Sequence, residues 1–225
     1  MPINPNAAIE VTGFNWVPEG PRGLVKDLRV RWALEEAGLD YRFRGIGLER
    51  PAGYRNDQPF EQVPCFNDGR VRIFESGAIV QYIGEQSEAL LPRDAQQRCR
   101  AIQWSHAALS SIEPFVQFRT LLDSFWADND WAAPAKPTLD QLARLRLGQL
   151  SERLGEKEWL EGSRFTIGDL MMVSVLRLAD RGRLLGKTPN LAAYVKRGEA
   201  RAAFQRALND QLATYREHEP QGEAA

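Results

Sequence analysis

Glu75 and Ser76 are a pair of polar residues at the point where a helix is predicted to start. The Ser76 hydroxyl and backbone amide, together with the positive end of the helix dipole, could hold a carboxylate. Glu75 could receive an ammonium group on the same ligand. In the alternative interpretation, Ser76 only caps the helix and binds no ligand. On this pair alone the cap interpretation is favoured, and a ligand site depends on the motif that surrounds it.

The elements predicted around this pair suit a small mixed sheet with helices against it. Apolar periodicity and turn signals predict, in chain order, a strand at 9–14, a helix at 24–37, strands at 41–44, 63–66 and 71–74, and a helix at 76–85. Asn-Asp-Gly-Arg between the last two strands has the composition of a tight hairpin turn. The order is thus β-α-β, an irregular segment, and then β-β-α.

From Ala95 onward the pattern predicts helices only, and the polar residues around Pro92 predict a linker before them. Thr138 and Gln141 have the spacing of a capping box, in which the threonine hydroxyl accepts the N3 amide. A helix is therefore predicted to begin at Thr138. Its buried face is predicted to carry Leu142, Leu145, Leu150 and Leu154, with Leu147 broadening the apolar stripe.

A second capping box is formed by Thr166 at the cap and Asp169 at N3, with Phe165 opposite Leu170 as a hydrophobic staple. The following segment, LMMVSVLRLA, is apolar nearly all round, which predicts the central buried helix of this part of the chain. Because its spacing from Thr166 already explains Asp169, we interpret this carboxylate as structural and not catalytic.

The composition is that of an ordinary globular protein of 225 residues, with 29 basic and 30 acidic side chains. This balance gives no support to nucleic-acid binding. Neither a membrane-spanning run nor a secretion signal is recognisable, so no membrane partner and a cytoplasmic location are expected. Cys65 and Cys99 are the only cysteines, and they support neither a disulfide framework nor a metal site. Both thiols are expected to be buried or incidental.

Val63-Pro64, followed by Glu75-Ser76-Gly77-Ala78-Ile79, resembles the glutathione-binding core of the cytosolic glutathione transferases. The segments 58–62, 30–38 and 165–170 are similar to further motifs of that family, so the resemblance covers most of residues 9–210. It implies an α+β/α fold class: a thioredoxin-like domain at 8–86, an all-helical bundle domain at 94–215, and a frayed tail at 216–225.

The resemblance also implies how glutathione binds. Pro64 is expected to be a cis proline that turns the Val63 amide and carbonyl outward to pair with the cysteinyl part of the ligand. Ser76 is expected to hold the γ-glutamyl carboxylate, and Glu75 the ammonium group. Gln62 matches the family position that reaches the glycine end of glutathione.

The group that activates the thiol is less easily identified. The family keeps a Tyr, Ser or Cys just after the first strand, but residues 15–24 contain none of these. Asn15 through its amide, Trp16 through its indole N–H, Arg22, Lys26 or bare amides at the helix start could stabilise a thiolate instead. Trp16 could equally be a packing residue, and Arg22 and Lys26 solvated surface charges.

The activity implied is that of a detoxifying transferase that binds glutathione as co-substrate, lowers its thiol pKa and adds the thiolate to a small apolar electrophile. One alternative is a glutathione-dependent disulfide or hydroperoxide reductase, although such enzymes usually employ a cysteine that this loop lacks. Another is a binding protein that kept the glutathione site without efficient catalysis. The resemblance also implies a two-fold homodimer.

Overall fold

The computed structural model describes residues 3–220. A four-stranded sheet has the order β2-β1-β3-β4. Its strands are β1 (Ile9–Phe14), β2 (Tyr41–Ile46), β3 (Cys65–Asn67) and β4 (Arg72–Phe74). β1 is parallel to β2 and antiparallel to β3, and β3 is antiparallel to β4. The mixed sheet of a thioredoxin-like fold is thereby confirmed, with every predicted strand present within about two residues of its expected bounds.

Eight α-helices lie within residues 3–220: α1 (Asp27–Ala37), α2 (Ser76–Glu85), α3 (Ala95–Ala107), α4 (Glu113–Phe125), α5 (Ala132–Leu154), α6 (Ile167–Arg181), α7 (Pro189–Glu199) and α8 (Ala202–Glu217). A single π-helical turn, Ala108–Ile112, joins α3 to α4. Short 3₁₀ segments lie at Tyr54–Asn56 and Leu185–Lys187. No helix of this described part is both long and apolar enough to cross a lipid bilayer.

The chain forms two compact units, one from the residues up to Ser87 together with those from Arg201 onward, the other from Glu88–Ala200. The first unit contains the sheet, α1, α2 and α8. The second contains α3 to α7, with α6 packed against α3, α4 and α7. The sequence analysis predicted one helical domain over residues 94–215. In the structure, α8 instead packs against α1 of the first unit.

Aromatic and charged contacts hold α8 against α1. The rings of Trp32 and Phe204 meet edge to face at 4.9 Å. Arg201 donates to both carboxylate oxygens of Glu36, at 2.6 and 2.8 Å, and similar ion pairing joins Arg206 to Glu35 at 2.6 Å. These side chains are far apart in sequence, which explains why periodicity alone did not associate the last helix with the first.

A buried polar group lies under the same interface. Asp27 accepts from Arg31 Nε at 2.9 Å and from Gln211 Nε2 at 2.7 Å, and all three side chains are buried. Burial raises the pKa of the Asp27 carboxyl, against the opposing effect of Arg31. α8 therefore completes the surroundings of a charged pair in the first helix.

Helix α1 begins later than the sequence predicted. The expected start at Leu24 is wrong, because residues 21–24 form turns: the Leu24 amide donates to Pro21 O at 2.9 Å and Gly23 has a φ of 74°. Glycine tolerates this left-handed conformation, and a right-handed helix cannot continue through a residue that adopts it. The segment from Asn15 to Lys26 is consequently a loop along its whole length.

The prediction for α5 was wrong in two respects. The helix starts at Ala132, not at Thr138, and Pro137 lies inside it. Pro134 is tolerated because it falls among the first residues, whose amides need no acceptor within the helix. Its buried face carries Ala143, Leu147, Leu150 and Leu154, whereas Leu142 and Leu145 are 38% and 54% exposed. The stripe therefore follows a different phase from the predicted one.

The tail predicted at 216–225 begins within an ordered segment. α8 continues to Glu217, and Glu219 makes an ion pair with Arg22 at 2.8 Å. The last five residues of the predicted tail, 221–225, lie outside the described residues.

Candidate functional site

One hydrophobic cluster brings six separate chain segments together. Phe14 from the end of β1, Val25 from the loop before α1, and Phe74 from the end of β4 pack against a buried group that includes Val63. The other buried members of this cluster are Ile46, Tyr54 and Cys65. Burial of these apolar groups fixes the ends of the strands relative to the start of α1.

The predicted site residues flank the members of this cluster in sequence. Asn15 follows Phe14, Lys26 follows Val25, Gln62 and Pro64 flank Val63, and Glu75 follows Phe74. Five candidates from four segments are thus collected around one packing centre. Thr166 and Asp169, predicted to be structural, lie in the second unit.

The backbone around Val63 contains one carbonyl with a hydrogen-bond partner, that of Gln62, next to backbone groups of Val63 without one among the described residues. The Val63-Pro64 peptide bond is cis, and both residues are buried. The Tyr54 hydroxyl donates to Gln62 O at 2.7 Å, which fixes the preceding peptide, while the Gln62 side chain is exposed. Among residues 3–220, no hydrogen bond engages the Val63 amide or carbonyl. A ligand with a peptide backbone could pair with these groups.

The start of α2 has the features of an anion site. Glu75 precedes the helix with a φ of 70°, a rare conformation for a residue other than glycine, and its side chain does not cap the helix. The first amides of a helix have no acceptor within it, and they attract negative charge. Ser76 is the first residue of α2 and is 3% exposed.

Arg29 is a residue of this site that the sequence interpretation missed. Its Nη1 donates to Ser76 Oγ at 3.2 Å, and its side chain is buried. A guanidinium beside helix amides strengthens the attraction for a carboxylate. No local signal pointed to this contact, because Arg29 and Ser76 lie 47 residues apart in sequence.

The loop from Asn15 to Lys26 contains several hydrogen-bond donors whose surroundings differ. The Asn15 backbone amide donates to Ile46 O at 2.9 Å and extends the sheet ladder by one residue. The Trp16 Nε1 atom is buried, and no described residue accepts its hydrogen with hydrogen-bond geometry. Lys26 occupies the position just before the first residue of α1. A buried donor without an acceptor is costly unless a ligand or water satisfies it.

Arg22 is held on two sides. Its Nε donates to Val17 O at 3.1 Å, and its Nη2 lies 2.8 Å from each carboxylate oxygen of Glu219. The interpretation of Arg22 as a solvated surface charge is therefore incomplete, because these contacts give its side chain a defined position within the loop.

The cysteines differ in environment. Cys65 is buried, and its Sγ lies 3.5 Å from the Tyr54 hydroxyl. Burial raises the pKa of its thiol, which disfavours the nucleophilic thiolate. For Cys65, burial meets the expectation that the thiols are buried or incidental. Cys99, in α3, is exposed. Residues 3–220 contain no group of three or more His, Cys, Asp and Glu side chains placed to hold a metal ion.

The capping box of α6 has the following geometry. The Thr166 amide donates to Asp169 Oδ2 at 3.0 Å, and the Gly168 amide donates to Thr166 Oγ1 at 3.2 Å. Asp169 Oδ1 also accepts from the Leu160 amide at 2.9 Å and from the Tyr194 hydroxyl at 2.8 Å. The carboxylate is fully used in joining segments of the second unit, which agrees with a structural role.

The sequence matches two family models: the N-terminal domain of glutathione S-transferases over residues 21–85, and their C-terminal domain over residues 121–202. Glutathione S-transferase F7 of Arabidopsis thaliana is 27% identical over 80% of this chain and 92% of its own length. Glutathione S-transferase GstA of Escherichia coli O157:H7 is 28% identical over 78% of this chain and 89% of its own length.

The structural comparison gives the same family. A glutathione transferase family member from Pseudomonas fluorescens Pf-5, solved with two glutathione bound, superposes with a TM-score of 0.77 and 25% identity. The match covers 89% of this chain and 92% of that chain. With both domain models matched in order and a thioredoxin-like sheet followed by a helical unit, the chain belongs to the glutathione S-transferase family.

Proposed function

We propose that this protein is a glutathione transferase that binds glutathione, ionises its thiol and conjugates it to a hydrophobic electrophile. The observation that carries the proposal is the cluster around Val63: five candidate residues from four segments flank its members in sequence, and one member, Phe74, lies two residues before the start of α2. Family membership and the glutathione bound in a related structure support the same ligand.

In the proposed complex, each part of glutathione meets a group of matching chemistry. The γ-glutamyl carboxylate lies at the first amides of α2, beside the Ser76 hydroxyl and the Arg29 guanidinium. Glu75 receives the ammonium group. The Val63 amide and carbonyl pair with the cysteinyl backbone as in strand addition, and Gln62 reaches the glycine end.

The chemical step requires a thiolate. Donors in the loop after β1 stabilise the negative charge, so that the thiol proton leaves to solvent near neutral pH. The sulfur lone pair then forms a bond to the electrophilic carbon, while that carbon releases a leaving group or passes its electron pair to an acceptor. Asn15, Trp16, Arg22 and Lys26 remain the candidates for this stabilisation. The Trp16 indole N–H is buried and forms no regular hydrogen bond with a described residue, although the Glu219 carboxylate lies near it.

A reductase acting on disulfides or hydroperoxides is the weaker alternative, since burial raises the pKa of Cys65 and the loop after β1 contains no cysteine. A ligand-binding protein without catalysis shares the binding half of the site and differs only in thiol ionisation. A cytoplasmic location and a two-fold homodimer are further parts of the proposal, and they are supported by the family resemblance alone.

The decisive experiment is a calorimetric titration of glutathione, with the ultraviolet thiolate absorbance followed in parallel. Binding with a thiolate signal, and turnover of an activated aryl halide, would support the transferase. Binding without ionisation would favour the ligand-binding protein. Absence of binding would refute the glutathione assignment, and Ser76→Ala serves as the binding-site control.

A further inference from the structure

The loop after β1 is held by residues near the far end of the described chain. Arg22 connects the loop to Glu219, which lies two residues beyond the end of α8. Gln211, within α8, donates to Val25 O at 3.3 Å and to Asp27 Oδ1 at 2.7 Å. Contacts from α8 and the residues just after it therefore reach the middle and the end of the loop.

The Glu219 carboxylate of this ion pair is ionised near neutral pH. The Arg22 guanidinium holds the pKa of Glu219 below its usual value, and the N–H dipole of the nearby Trp16 indole acts in the same direction. Glu219 is therefore ionised under ordinary conditions, and its carboxylate is available to orient Arg22.

The geometry leaves part of Arg22 available to a ligand. A guanidinium has five N–H donors. Val17 O takes the hydrogen on Nε, and the two oxygens of Glu219 take those on Nη2. Within residues 3–220, Nη1 has no partner, so two donors stay open on a side chain whose other atoms are already fixed. Binding to a fixed group costs less conformational entropy than binding to a mobile one.

We propose that Glu219 is a positioning residue for glutathione binding and acts through Arg22, whose guanidinium it fixes in the loop after β1 before the ligand arrives. The inference rests on the proposed glutathione site. It assigns Glu219 no contact with the ligand. The opposite role for a carboxylate on Arg22 is competition with an anionic ligand, and the test separates the two by the sign of the change in affinity.

The first test needs no ligand. Hydrogen exchange of the backbone amides at 16–25 is compared between the wild type, Glu219→Gln and the matched control Glu217→Gln. Glu217 is an exposed carboxylate at the end of α8, two residues before Glu219, so the control removes the same charge from a nearby position. We expect faster exchange in Glu219→Gln only. Unchanged exchange in that variant would overturn the proposal.

The second test is the affinity for glutathione, measured by calorimetry. Glu219→Gln is expected to weaken binding on the order of two- to fivefold, in the range of a partly exposed ion pair. Arg22→Ala should weaken it at least as much. The double variant should bind no more weakly than Arg22→Ala alone if Glu219 acts through that side chain and not through the nearby Trp16 indole.

Equal or tighter binding by Glu219→Gln, or additive losses in the double variant, would overturn the positioning role. A wild-type protein that does not bind glutathione would instead refute the proposed function, and the exchange experiment would still report whether Glu219 orders the loop.

Discussion

The Nη1 atom of Arg29 lies 3.2 Å from Ser76 Oγ, so a buried guanidinium on α1 contacts the first residue of α2. α1 and α2 pack against each other, and this hydrogen bond joins them at the proposed carboxylate position. A charged hydrogen bond contributes about 1.5–3 kcal/mol. Arg29→Ala is therefore expected to raise the dissociation constant of glutathione at least tenfold in calorimetry.

Arg29→Lys is the matched comparison, because it keeps the charge and loses the planar fork. It should bind more tightly than Arg29→Ala and less tightly than the wild type. Melting temperatures separate lost binding from lost folding. Wild-type affinity in a folded Arg29→Ala protein would remove this residue from the site.

Trp16→Phe tests the buried indole donor in the loop after β1. If the indole N–H stabilises the thiolate, the variant loses one charged hydrogen bond, and the pKa of bound glutathione rises by about 1–2 units. The thiolate absorbance as a function of pH measures this shift. Asn15→Ala is the parallel variant: a shift confined to Asn15→Ala would assign the stabilisation to Asn15 and contradict the role of Trp16.

The capping box of α6 predicts unequal losses of stability. Thr166→Ala removes a cap and should cost about 1 kcal/mol of unfolding free energy. Asp169→Ala removes a buried carboxylate that accepts from Leu160, Thr166 and Tyr194, and should cost about 3 kcal/mol or more. Chemical denaturation measures both. Thr166→Ser, which keeps the hydroxyl, should stay close to the wild type, and an Asp169→Ala variant as stable as Thr166→Ala would contradict the central role of the carboxylate.

The hydrogen bonds of Asp68, in the β3–β4 hairpin, predict that the stability of the fold depends on pH. Its carboxylate accepts from the Tyr82 hydroxyl at 2.7 Å and from the Val71 amide at 2.7 Å. Partial burial opposes ionisation, but these hydrogen bonds outweigh it and lower the pKa of Asp68. A lowered folded-state pKa contributes stability that is present above the unfolded value of about 3.9 and is lost as the pH falls through the folded value.

Asp68→Asn should therefore melt below the wild type near neutral pH, by an amount corresponding to about 1 kcal/mol. The difference should shrink progressively once the pH falls below about 4. Thermal melts of both proteins across that range provide the measurement. A difference that is constant with pH would show that the charge of Asp68 is not responsible.

Local signals were sufficient for much of the fold. The predicted hairpin, the start of α2 at Ser76 and the buried helix after Thr166 are all present, because turn composition, capping and apolar periodicity agree at those points. At Thr138 one local signal stood alone: its spacing to Gln141 fits a capping box, yet the helix had already begun at Ala132. A single motif cannot exclude an earlier start.

The candidate site was predicted only in part for a related reason. Its motif residues Val63, Pro64, Glu75 and Ser76 were identified from their order and spacing, whereas the Arg29–Ser76 and Arg22–Glu219 contacts join positions 47 and 197 residues apart. A single sequence contains no periodicity that relates such distant positions. Those partners could be found only once α1, α2 and α8 had been placed in three dimensions.

The return of α8 to α1 makes the second unit an insertion within the first, in terms of chain connectivity. A fragment cut after Ser87 would contain every strand and all of the proposed ligand contacts, but Asp27 would lose its hydrogen bond from Gln211 and Trp32 its ring contact with Phe204. Chimeras that exchange glutathione-binding halves between relatives should therefore carry the last helix along with the first 87 residues, as a split module made of both ends of the chain.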